Sequence, residues 1–139
     1  MHTVGRFAPS TEEAARERYE ALGPAAQTVV REVATAMEFD KPEYDERVTS
    51  TVVERARNAL FASELEVSVG QREEFDDWQA EQPEYEIHVI GNENVPQVTW
   101  HAAPFSEQAV AATFANEERA AVETLRRQAF GRLYRDLVE

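Results

Sequence analysis

Leu65-Glu66-Val67-Ser68-Val69-Gly70 decides the fold class, because the hydrophobic period changes there from 3.6 to 2. Leu65, Val67 and Val69 alternate with Glu66 and Ser68, the pattern of a half-buried strand, and Gly70 ends it. Upstream the chain reads as helices. Ser10 and Glu13 have capping-box spacing and open a helix running to Leu22. Gly23-Pro24 stops that helix and starts the next, since proline suits a first helical turn. From Pro24 to Glu38, Ala26, Val29, Val30, Val33, Ala36 and Met37 share one face and are expected to pack on a core. Asp40-Lys41-Pro42 breaks the helix, and Pro42–Arg47 reads as a short helical turn. Thr51 and Glu54 predict a helix to about Ala62, with Val52, Ala56, Ala59 and Leu60 inward.

Downstream, residues 72–82 predict a short, very acidic helix anchored by Phe75 and Trp78. Tyr85, Ile87 and Val89 alternate as a second strand. Val98, Trp100 and Ala102 make a third, ended by Pro104. Residues 109–115 fit a strand or a helix; a fourth strand is the better reading, because Asn116 then caps a long final helix over 117–138. The expectation is an α+β fold with a helical N-terminal half, a small antiparallel sheet of three or four strands and a long C-terminal helix packed on it. One globular domain spans residues 1–139, with no repeat and no linker composition.

Charge sets the chemistry this chain can do. It carries 27 acids and 14 bases, only one of them a lysine (Lys41), for a net charge of -13. Residues 65–118 hold 12 acids against one base, Arg72, whereas residues 119–139 hold five arginines against three acids. Such a surface repels itself at low salt and is relieved when molar salt shrinks the Debye length to about 3 Å. The composition therefore points to a salt-rich cytoplasm, and the acidic middle argues against a nucleic-acid partner. No cysteine is present, which removes disulfides, thiolate metal sites and thiol catalysis. No apolar run is long enough to span a membrane, and the opening residues lack a signal-peptide core.

Two constellations are candidates for chemistry. If the second and third strands form a hairpin, Glu86, His88 and His101 share the face opposite Ile87 and Trp100, a possible set of metal ligands or an acid–base pair. Alternatively that face simply meets water. Arg126 falls inside the buried arc of the last helix, between Val122 and Phe130, and is expected to be largely buried against a carboxylate such as Glu66 or Glu86. Its alternative role is an anion clamp, with Trp100, His101 and Arg126 forming a ligand site. Arg127, Arg132 and Arg135 plot on the solvent side. No phosphate loop, nucleophile elbow or zinc-protease motif occurs, and no cofactor is implied.

Gly5-Arg6-Phe7-Ala8-Pro9, the Leu22–Val30 run, Trp100-His101-Ala102-Ala103-Pro104-Phe105 and the closing Thr124–Arg132 run together resemble a haloarchaeal family of small acidic proteins of unknown function. The resemblance covers nearly the whole chain and implies no activity, substrate or site residue. Three function classes stay open: an interaction or regulatory module without catalysis, acting through a protein partner or self-association; a small-molecule or anion binder; and an enzyme using the His88/His101 face.

Overall fold

The computed structural model describes all 139 residues. Its elements run β1 (His2–Val4), α1 (Glu12–Ala21), α2 (Gly23–Ala36), α3 (Lys41–Arg47), α4 (Ser50–Glu64), β2 (Val67–Gln71), α5 (Arg72–Glu81), β3 (Glu86–Ile90), β4 (Gln97–Ala103), β5 (Gln108–Phe114) and α6 (Glu118–Ala129). A π-helical segment (Phe130–Tyr134) then leads into α7 (Arg135–Val138). The fold is α+β, as the change of period predicts. The sheet has five strands rather than three or four, in the order β1-β2-β4-β5-β3. It is also mixed, because β3 runs parallel to β5 while the other pairs are antiparallel.

The expected hairpin between residues 85–89 and 98–102 does not exist: β5 lies between β3 and β4. The alternation that sorts side chains to faces is local to each strand, but it cannot say which strand lies beside which. Residues 109–115 do form a strand, and an alanine-rich one fits because it is central and covered on both faces. The helix caps shift slightly. Thr11 rather than Ser10 caps α1, and Thr49 rather than Thr51 caps α4, each accepting from a backbone N–H three residues on. Asn116 caps nothing; Glu117 sits at the start of α6 without a side-chain cap.

Two hydrophobic layers sandwich the sheet. On the larger side Val67, Val69, Val110 and Phe114 pack against α1, α4 and the C-terminal helix. Phe61 of α4 is its hub, meeting Phe7, Tyr19, Phe130 and Tyr134 edge-on at ring-centroid separations of 5.2–6.0 Å. On the other side Val98, Trp100 and Ala111 are covered by Phe75 and Trp78 of α5. Helix α2 stands outside both layers and packs on α4 and α1. No helix is long and apolar enough to cross a membrane.

Candidate functional site

His101 is 2% exposed and lies on the helix-covered face, so that face is core rather than water-facing sheet. Its Nδ1 is 2.7 Å from the backbone carbonyl oxygen of Glu66, which only accepts, so Nδ1 carries the proton. Nε2 is then an acceptor, taking a hydrogen bond from the Tyr134 hydroxyl at 2.6 Å. Burial pushes the His101 pKa below the ordinary imidazole value, helped by the positive charge of Arg126, and burial pushes the Tyr134 phenol upward. A neutral imidazole with both nitrogens engaged locks β4 to the C-terminal helix and leaves no nitrogen free for a metal or a substrate proton.

His88 does share that sheet face with His101, but Val110 of β5 sits between them in register, putting their backbones roughly 10 Å apart. His88 pairs instead with Gln108 at 3.3 Å, and Glu86 is exposed at the sheet edge. No three histidine, aspartate or glutamate side chains converge as metal ligands. Trp100 lies on the opposite face from His101, buried under Phe75 and Trp78.

Arg126 is half-buried, not fully buried, and meets no carboxylate. Its Nε donates to the Leu65 carbonyl at 2.9 Å and its guanidinium also donates to the Val4 carbonyl at 3.3 Å. Neither Glu66 nor Glu86, the expected partners, forms an ion pair with it. The polar demand of a stem packed at the core edge is met by backbone carbonyls, which pins the end of β1 and the link between α4 and β2 to α6. Gly5 adjoins this clamp at φ +103°, and a Cβ there would stand 2.5 Å from the Leu65 oxygen and 2.7 Å from Arg126 Nη2.

The surface feature that the sequence reading placed in the core is an apolar groove of about 360 Å³ between α2, α3 and α4. Nine of its ten lining residues are hydrophobic, among them Val29 and Val33 of α2, Met37 at its C-terminal cap and Val52 of α4. Those four are 42%, 52%, 60% and 38% exposed. Helix α2 has a wide apolar arc, but α4 and α1 cover only Ala26, Val30 and Ala34. The ridge Val29-Val33-Met37, offset around the helix, is left in solvent. Arg47 is the one charged residue in the lining, and its guanidinium lies over the Phe39 ring at 5.6 Å.

A family described as a family of unknown function (DUF5809) matches residues 6–135. No curated protein and no solved structure matches.

Proposed function

From the premise that the chain belongs to the DUF5809 family of unknown function, we propose that it is a salt-adapted cytoplasmic interaction module of haloarchaeal type that works without catalysis. It docks through the apolar groove beside α2, and the occupant is a second copy of the chain. The single observation that carries this is the exposed Val29-Val33-Met37 ridge standing next to the groove it helps to line. Ridge and groove on one surface are self-complementary, so a two-fold axis seats the ridge of each copy in the groove of the other.

Charge favours the same choice. Two copies of net charge -13 can meet only where the local charge is low, and Gly23–Met37 carries one arginine and one glutamate in fifteen residues. A helix of fourteen residues is roughly 21 Å long, which places the contact at the small, transient end of protein interfaces. A ligand role for Trp100, His101 and Arg126 draws less support, because Trp100 faces the layer opposite His101, both His101 nitrogens are engaged, and Arg126 already donates to the Leu65 and Val4 carbonyls.

Sedimentation equilibrium in molar potassium chloride tests the proposal. The wild-type chain should associate reversibly to a dimer, and Val33→Asp should remain monomeric with unchanged circular dichroism. A wild-type chain that is monomeric up to millimolar concentration, or a Val33→Asp variant that dimerises as well, would overturn it.

A further inference from the structure

We infer that a second groove, between α4 and the C-terminal helix, binds the phosphate dianion of a small molecule. Its volume is about 240 Å³, its floor is Phe130 and Ala62, and three arginines line it: Arg55 from α4, Arg127 from α6 and Arg135 from α7. A neighbouring cavity of about 280 Å³ shares Arg127 and adds Arg126, Ser63 and Glu123. The chain holds 27 acids against 14 bases, yet neither Arg55 nor Arg127 has a carboxylate within 4 Å. Arg135 reaches only Glu139, at 4.0 Å, and lies over the Phe130 ring at 5.5 Å. Like charges gathered on an apolar floor repel unless an anion joins them.

The π-helical segment assembles this groove. Arg127 and Arg135 are eight residues apart, which in an uninterrupted α-helix separates them by about 80°. An i→i+5 turn inserts in effect one extra residue and brings them to within roughly 20° of one face. Asn58 stiffens the wall, accepting from the Tyr19 hydroxyl at 2.6 Å and donating to Glu139 at 2.8 Å.

Phosphate fits this geometry better than a monovalent anion. In molar salt long-range attraction is lost, so affinity must come from direct contacts. Guanidinium forks match the several oxygens of a phosphate two at a time, which chloride cannot reproduce. The proposal is independent of the α2 groove, and either can fail alone.

Titration calorimetry in molar potassium chloride tests it, with inorganic phosphate and glycerol phosphate as the probes. At least one probe should give a saturable one-to-one isotherm, and the tighter probe distinguishes a free phosphate from an esterified one. Arg55→Gln and Arg127→Gln should each weaken binding by about tenfold or more, while Arg31→Gln on α2 leaves it unchanged. No saturable heat from either probe with the wild-type chain, or undiminished affinity in Arg127→Gln, would overturn the proposal.

Discussion

Arg126 shows how one side chain can hold three segments together. It closes α6 onto Val4 and Leu65 through charge-assisted bonds to carbonyls, so Arg126→Ala strands two acceptors at the edge of the core rather than a buried carboxylate. A loss of about 2–3 kcal/mol is expected in urea denaturation, against less than about 0.5 kcal/mol for exposed Arg31→Ala. Equal losses would place Arg126 among ordinary surface residues. His101 makes a pH prediction with a definite sign. Its native pKa is depressed by burial, so on acidification the unfolded chain takes up a proton near pH 6.5 before the native chain does. Tyr134, Arg126 and the Glu66 carbonyl are the groups around it, and none supplies a negative charge to offset protonation. Stability is therefore full above about pH 6.5 and falls as the pH drops toward 5, by up to roughly 1.4 kcal/mol per pH unit. His101→Gln should flatten that slope; an unchanged slope would mean that the imidazole does not titrate differently on folding.

The C-terminal helix shows at the level of elements what is legible in a sequence. Its buried stripe of Val122, Leu125, Ala129 and Leu133 follows from a 3.6-residue period and is found as read. Past Ala129 the π turn breaks that period, so Tyr134 turns fully inward and Leu137 drops to partial burial. The same shift carries Arg135 toward the Arg127 face, away from the position the plain wheel gives it. No local residue signals a π turn here; it arises because Phe130 and Tyr134 both find places against Phe61. Tyr134→Phe keeps that packing and removes the donor to His101 Nε2, and should cost about 1–2 kcal/mol by denaturant unfolding. A neutral substitution would show that the hydroxyl bond contributes nothing net. Four of the five strands were equally legible, down to His88 and His101 sharing a face, whereas the three-residue β1 (His2–Val4) is too short to show an alternation. Strand neighbours were not, because the parallel β3–β5 pairing is a long-range choice that alternation leaves open. On α2 the failure runs the other way: a clean amphipathic pattern states that a face is apolar without stating that this chain covers it.

At the scale of the whole molecule, a net charge of -13 and an uncovered apolar face make opposite demands, which high salt would ease. The -13 charge predicts a melting temperature that climbs as potassium chloride is raised from millimolar to molar, since screening relieves repulsion concentrated in residues 65–118. A melting temperature that stays flat or rises as salt is removed would contradict the halophilic reading. In the proposed dimer, the same screening would let two copies bring their α2 faces together. The natural absence of cysteine makes that contact directly measurable, because a single introduced thiol has no other partner in the chain. A disulfide needs Cα atoms within about 7 Å, a condition that the middle of the ridge would meet at the proposed two-fold axis. In molar potassium chloride under mild oxidant, Val33→Cys should cross-link rapidly into a covalent dimer. Thr35→Cys, exposed on the same helix about 160° away, should remain a monomer over the same time. Equal cross-linking of the two variants, or none in Val33→Cys, would contradict self-association through α2.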